Sequence, residues 1–323
     1  MAGARGARYG RDMSDARAPA LPYLNDRVVL GVVLMLGFCL TAPLIDVASK
    51  LAAATIPVGQ ITTARFIVQG ALMLPLCWIM GHGLRLPPGV TGRLVLRALF
   101  LILSTYFFVA AVKVMPIADA LVIVFVEPFI LLLLGKYMYG EEVGPRRLWA
   151  SVVGFAGALL VIQPSLAAFG LVALFPLGTA LFFAFYMLVT RSLSRQMHPV
   201  PMQYHTSVFA AVICLPFMVL GMGIEIPTIS PVWPVGIEWT WLAGVGAASA
   251  LSHLMISYAL RFAPSATVAP LHYLEILSAV AFGWLFFADL PNAMTFAGMA
   301  VITASGLYVF HRERVQERAA KRS

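Results

Sequence analysis

Ten times between residues 28 and 311 the chain runs for about 20 residues with hardly a charge, then meets a short stretch marked by Pro, Gly or basic residues. A helix needs roughly 20 apolar residues to cross a hydrocarbon core about 30 Å thick. The runs fall near 28–53, 57–80, 92–113, 116–138 and 145–163, and then near 168–193, 203–222, 237–261, 264–287 and 292–311. The chain has 323 residues, 61% of them hydrophobic and only 11% charged. An ordinary soluble domain is about 45–50% apolar and about a quarter charged. The pattern therefore predicts an all-α integral membrane protein of ten transmembrane helices, not a water-soluble core.

The net charge of +8 is distributed along the membrane topology and does not form a basic face for nucleic acid. With both termini cytoplasmic, the inner segments collect five arginines before residue 28, then Arg85, Arg93, Arg97, Lys136, Arg146, Arg147, Arg191, Arg195 and Arg261, and five basic residues from Arg312 to Arg322. Lys113 alone falls in an outer loop, while Lys50 and Arg65 stay within or near the membrane. Residues 1–27 read as a disordered cytoplasmic tail, because no short apolar stretch with a small-residue cleavage site occurs there. Asp12, Asp15 and Asp26 argue against a mitochondrial presequence. Residues 312–323 read as a second cytoplasmic tail, and the lack of organelle signals suits a bacterial inner membrane. Cys39, Cys77 and Cys214 each lie inside an apolar run without metal-like or paired spacing and read as small core residues.

The two halves, 28–163 and 168–311, resemble each other at a constant offset of 148 residues. That offset carries Ser104 onto Ser252, Pro116 onto Pro264, Ala118 onto Ala266, Glu127 onto Glu275, Gly135 onto Gly283 and Glu141 onto Asp289. Each unit holds five helices, an odd number, so the second copy enters the membrane in the opposite sense and the repeat is inverted. Inverted bundles can rock about a central site and expose it to each side in turn, which favours a carrier over an enzyme.

Several short motifs sit on this frame. Pro43-x-x-Asp46-x-x-x-Lys50 closes the first helix, Pro57 and Gln60 open the second, and Arg65 follows within two turns. Ala111-x-x-x-x-Pro116-x-Ala118 recurs as Ala259-x-x-x-x-Pro264-x-Ala266, each followed by an acid 11 residues after the proline. Together these features resemble the EamA-type branch of the drug/metabolite transporter superfamily, from about residue 28 to 311. The resemblance implies ten helices around a central cavity, lined largely by the first, third, fourth, sixth, eighth and ninth, with the fifth and tenth in support. Members of that superfamily import or export amino acids and their derivatives, nucleotide-like metabolites, vitamins or drugs. The Asp46 and Lys50 pattern is closest to bacterial branches proposed for S-adenosylmethionine or riboflavin uptake.

Eleven helical residues put Glu127 and Glu275 about 16 Å from their prolines, near the bilayer midplane. An acid there costs about 2.5–3.5 kcal/mol on insertion scales, so it faces a cavity or a partner. The functional reading is a site for a substrate amine or a proton; the alternative is a protonated carboxyl hydrogen-bonded inside the bundle. Pro128, next to Glu127, either frees a carbonyl for a ligand or is a packing kink. Asp46 and Lys50, four residues apart, share a helical face and can partly neutralise each other. Asp46 and Arg65 both lie about 12 Å in from the outer side. This trio either contacts substrate or clamps the first two helices, with Lys50 snorkelling outward.

His253 and His272 are candidates for relaying protons or binding a carboxylate, against a packing role. Tyr106, Tyr186, Tyr258 and Tyr273, with Phe182, Phe183 and Trp241, offer aromatic faces for a planar or cationic solute, against packing or lipid contact. Ser151, Gly154, Gly157 and Ala158 on the fifth helix, with Gly298, Ala300, Ala304 and Gly306 on the tenth, permit close helix contact or a dimer face. Glu141, Glu142 and Asp289 read as solvated residues at helix junctions.

The reading is thus a secondary transporter working by alternating access on a small organic metabolite, with protons a candidate coupling ion and a monomer or homodimer as the working unit. No Walker motif occurs, so ATP is not the direct energy source. A membrane-embedded enzyme would need a nucleophile and base or clustered metal ligands, and no H-E-x-x-H or G-x-S-x-G motif is present. No cofactor or metal is implied. A channel would need a ring of carbonyls or charges repeated around a pore.

Overall fold

A computed structural model describes residues 28–139, 145–194, 196–223, 226, 228–263 and 271–320. The expected tail 1–27, the acids Glu141 and Glu142, the second-half pair Pro264 and Ala266, and residues 321–323 lie outside the described residues. Every regular element among the described residues is helical: α1 (Val28–Ala52), α2 (Val58–Ile79), α3 (Thr91–Val112), α4 (Ile117–Val124), α5 (Glu127–Tyr139), α6 (Pro145–Phe169), α7 (Phe175–Ser194), α8 (Pro199–Gly221), α9 (Glu238–Phe262), α10 (Glu275–Phe287) and α11 (Ala293–Ala320). Six apolar stretches are long enough to cross a membrane, and Glu275–Phe287 and Ala293–Tyr308 are shorter apolar helices. The chain is an integral membrane protein.

One of the six stretches, Leu148–Thr190, has 43 residues, about twice what a bilayer core requires. It is two helices, because the short 3₁₀ segment Gly170–Leu174 separates α6 from α7 and opens with Gly170 at φ +65°, a conformation that costs glycine little. α11 runs past the expected end at 311 to Ala320.

A second difference matters more. The expected helix 116–138 is broken into α4 and α5 by a two-residue turn, Phe125 and Val126. Around it the hydrogen bonds tighten from the helical spacing: Val126 N donates to Ile123 O at 3.2 Å and Phe129 N to Val126 O at 3.0 Å. Pro128 therefore stands in the first turn of α5, where its missing N–H costs nothing, and not in a helix interior. The second half carries the same break without a proline. Tyr273 and Leu274 form the turn ahead of α10, with Leu274 N on Leu271 O at 2.9 Å and Ile276 N on Tyr273 O at 3.3 Å.

The helices pair across the two halves of the sequence. α1 packs on α9 and α3 on α7; α2 packs on α8, α6 on α11 and α4 on α10. Hydrogen bonds join the swapped pairs: Ser104 and Thr179 each donate to the other's carbonyl at 3.3 Å between α3 and α7, and Ser252 donates to Thr41 at 3.0 Å between α9 and α1. α6 and α11 approach closely at Gly157 and Gly298. A Cβ on Gly298 would stand 2.7 Å from the Gly157 carbonyl, so a larger residue there must force the pair apart at about 1–3 kcal/mol. Large apolar side chains such as Leu72, Val152, Leu159, Phe217 and Leu285 are exposed, as lipid-facing surfaces require. Exposed Trp78, Trp149, Trp233 and Trp239 sit near helix ends, where indoles favour the bilayer interface.

Candidate functional site

One cavity gathers six ionisable side chains of the bundle. Asp46 of α1, Arg65 of α2, Glu127 at the start of α5, His253 of α9, and His272 and Glu275 at the second break all line it. Its remaining walls come from α1, α3, α4 and α7, including Phe38, Phe108, Phe125 and Phe183. Glu127 and Glu275 each stand in the first turn of a 13-residue helix, at its positive dipole end. This is the geometry by which a broken membrane helix creates a polar site at membrane depth.

The two breaks touch. Phe125 and Tyr273, equivalent at the 148-residue offset, pack with ring centroids 5.3 Å apart. Phe125 also meets the edge of His272 at 5.4 Å, and Phe38 meets it at 5.3 Å. His272 Nε2 is 2.9 Å from Glu275 Oε2, one turn along the same segment. The equivalent of His272 in the first half is Val124, and Glu127 Oε1 is buried with no hydrogen-bond partner. Cys39 of α1 donates to the Leu271 carbonyl at 3.2 Å, beside the second break.

On another side the cavity meets a chain of donors. Arg65 Nη1 donates to Thr105 Oγ1 at 2.8 Å, and Nη2 lies 3.0 Å from His253 Nε2. His253 Nδ1 lies 3.1 Å from Gln203 Nε2. Gln203 Oε1 in turn accepts from Arg97 Nη2 at 3.1 Å. A guanidinium only donates, so His253 Nε2 must carry the lone pair, and the proton of a neutral ring then sits on Nδ1 facing an amide donor. Turning the Gln203 amide over only moves the clash to Arg97. The chain therefore has one donor too many, and Arg65 Nε is buried with no acceptor at all.

Arg97, which the charge pattern assigns to a cytoplasmic segment, is 1% exposed inside the bundle. Its Nε donates to Thr190 at 2.8 Å, Nη1 donates to Thr206, and Nη2 donates to Tyr186 Oη at 2.5 Å, with the cation 4.4 Å over the Tyr186 ring. No carboxylate touches either buried arginine among the described residues.

Lys50 is not paired with Asp46. Its Nζ donates to Asp289 Oδ2 at 2.7 Å and to the Met115 carbonyl at 3.1 Å, and lies 4.7 Å over the Phe287 ring. Asp289 is accordingly an ion-pair partner and not a freely solvated junction residue. The four tyrosines do not line the cavity. Tyr106 is half-buried against the packing of α1 and α2, Tyr186 is held by Arg97, and Tyr258 stacks on Phe262 with its hydroxyl 3.6 Å from Met80 Sδ. Tyr273 turns its hydroxyl end toward Gly306, where a Cβ would meet it. Of the other aromatics, Phe183 lines the cavity, Phe182 stacks on Phe107, and Trp241 packs against the same apolar cluster as Tyr106. Asp119, unremarked in the sequence reading, accepts from Thr295 at 2.8 Å and ties α4 to α11. Among the described residues no group of three His, Cys, Asp or Glu is placed to hold a metal ion.

The EamA-like transporter family matches residues 29–163 and again 170–310. The chain belongs to that family. Among its relatives, a riboflavin transporter of Rhizobium johnstonii is 31% identical over 225 residues, covering 69% of this chain and 71% of the relative. The pseudopaline exporter CntI of Pseudomonas aeruginosa is 27% identical over 284 residues, 87% of this chain and 95% of the exporter. An S-adenosylmethionine uptake transporter of Rickettsia felis is 22% identical over 271 residues, 83% of this chain and 88% of the relative. A solved crystal structure superposes with a TM-score of 0.61 at 18% identity, covering 89% of this chain and 99% of that one, which extends the likeness to the fold. As an EamA-like protein the chain is a transporter of small metabolites, and the relatives make a catalytic role a poor fit.

Proposed function

We propose that this EamA-like protein is a secondary transporter that moves a small organic metabolite by alternating access, and that the cavity between its two breaks holds the cargo. The observation that carries this is the meeting of two equivalent broken helices across one cavity, each opening with an acid. The helix pairing supports an architecture of ten helices in two inverted five-helix repeats. Exchange of the halves turns the α1–α9 pair into α7–α3 and returns α2–α8 and α6–α11 to themselves. The two successive family matches, 29–163 and 170–310, agree with that division. Both termini are cytoplasmic in this reading, and the membrane is the bacterial inner membrane, where the basic loops would face inward.

Among the cargoes named for the relatives, S-adenosylmethionine and pseudopaline share this cavity's demand for polar contacts, and riboflavin makes a third class to test. The purified chain, reconstituted in lipid vesicles without ATP, is expected to take up labelled S-adenosylmethionine or riboflavin saturably, with unlabelled solute competing. Flux that rises linearly with concentration and resists competition would count against a carrier. Collapse of an imposed proton gradient in the same vesicles tests whether protons are coupled.

A further inference from the structure

The two acids of the cavity are not equivalent, although the repeat makes them so in sequence. Glu275 has a partner on one oxygen, Oε2, in His272 Nε2 at 2.9 Å. Glu127 has valine where that imidazole would stand, and its Oε1 is buried with no partner. Asp46, on the same cavity, accepts no hydrogen bond among the described residues. Acceptors are thus in surplus where α1 and α5 meet the cavity.

The reverse holds along α2 and α9. Arg65 keeps Nε–H uncommitted while both Nη atoms are engaged, and the Arg65–His253–Gln203–Arg97 chain has more donors than acceptors however its amide and ring are assigned. Buried polar groups in native proteins are satisfied, and an orphan in a cavity points to something that arrives. Two orphans of opposite kind in one cavity call for a ligand with both complements: a hydrogen-bond-donating cation for Glu127 and an anion for the Nε edge of Arg65, whose fork suits a carboxylate.

We propose that the cavity takes a solute carrying both a protonated amine and an anionic group, with Glu127 receiving the amine, Arg65 receiving the anion and Glu275 withheld from the solute by His272. This rests on the transporter reading and narrows its cargo to zwitterions.

The test is thermal stabilisation of the detergent-purified full chain, since a ligand that binds the folded state raises its melting temperature. The probes are methionine, phenylalanine and lysine, each with its methyl ester and its N-acetyl derivative, together with S-adenosylmethionine and riboflavin. At least one zwitterion is expected to stabilise at a concentration tenfold or more below that of its ester and its N-acetyl form. In Glu127→Gln the preference over the N-acetyl form should shrink to within threefold. In Arg65→Gln the preference over the ester should shrink likewise, and Glu275→Gln should keep both. Equal response to parent and derivatives, stabilisation by riboflavin alone, or no response to any zwitterion overturns the proposal. Should a variant fail to fold, the ranking in the unaltered protein still decides. Vesicle uptake separates the two readings: saturable riboflavin transport with no zwitterion binding keeps the carrier and removes the charge assignment, and absence of all saturable flux removes both.

Discussion

The first break, Val124–Phe125–Val126–Glu127, and the second, His272–Tyr273–Leu274–Glu275, stand at matching positions, turn the chain in the same way and touch through Phe125 and Tyr273. Of the three positions at which they differ, the first decides their chemistry. A histidine three residues ahead of Glu275 reaches back to it, whereas a valine ahead of Glu127 cannot. The comparison teaches that a duplicated scaffold can build one open acid and one closed acid from the same backbone. A transporter gains from that division, because a group already satisfied holds the bundle in place while an unsatisfied one competes for the cargo.

The sharpest way to break the comparison is to neutralise each acid in turn. Glu127→Gln is expected to lower solute uptake in vesicles at least tenfold, the equivalent of about 1.4 kcal/mol or more of lost interaction. Glu275→Gln should lower it less than threefold, since Gln can still accept from His272. Equal losses from both would mean that the two acids work as a symmetric pair.

The next test makes the first break look like the second. Val124 is half-buried at the cavity wall, so an imidazole has room there. Val124→His should supply Glu127 with its own partner and weaken ligand affinity about five- to tenfold, roughly 1 kcal/mol, without loss of folding. Unchanged affinity would show that the openness of Glu127 is immaterial.

The breaks also mark where sequence reasoning reached its end. Lipid demands long apolar runs, so α1, α2 and α3 stand within a residue or two of their expected bounds. The 148-residue offset likewise makes Glu127 and Glu275 a pair in the sequence itself. The turns themselves left no trace, because Phe125, Val126, Tyr273 and Leu274 are as apolar as a spanning helix and contain neither Gly nor Pro. Lys50 misled for another reason: Asp46 lies one turn away in sequence, but the true partner, Asp289, lies 239 residues on. Arg97 resembled a loop charge because it stands near the start of α3, while its acceptors, Tyr186, Thr190, Gln203 and Thr206, are neutral residues on other helices that no charge pattern reveals. The tyrosines show a general difficulty. A membrane helix is apolar toward lipid as well as toward its neighbours, so hydrophobic periodicity does not say which face an aromatic takes.

Stability should report the same asymmetry. His272→Val leaves Glu275 buried without its donor, and an unmet buried polar group costs about 1–3 kcal/mol. The melting temperature of the purified protein should fall accordingly. Glu127→Leu, which removes an acceptor that has no donor to lose, should leave the melting temperature unchanged or raise it. A fall of the same size in both would mean that Glu127 is satisfied in the resting protein after all.

The smallest expected effect concerns the link between the breaks. Lys50 Nζ holds the Met115 carbonyl, just ahead of α4, and Asp289, just past α10, so one ammonium joins the two broken elements at their far ends. Its side chain is 16% exposed and that of Asp289 31%, and a pair so placed contributes no more than about 1 kcal/mol. Lys50→Met should therefore shift the melting temperature little. Its effect should appear in the maximal rate of vesicle uptake, changed about two- to threefold, with the concentration for half-maximal uptake unaltered, because the residue lies off the cavity but fastens both segments that shape it. A change in half-maximal concentration with no change in rate would instead tie Lys50 to the cargo, and the two breaks would then have to be coupled through the packing of Phe125 on Tyr273 and His272.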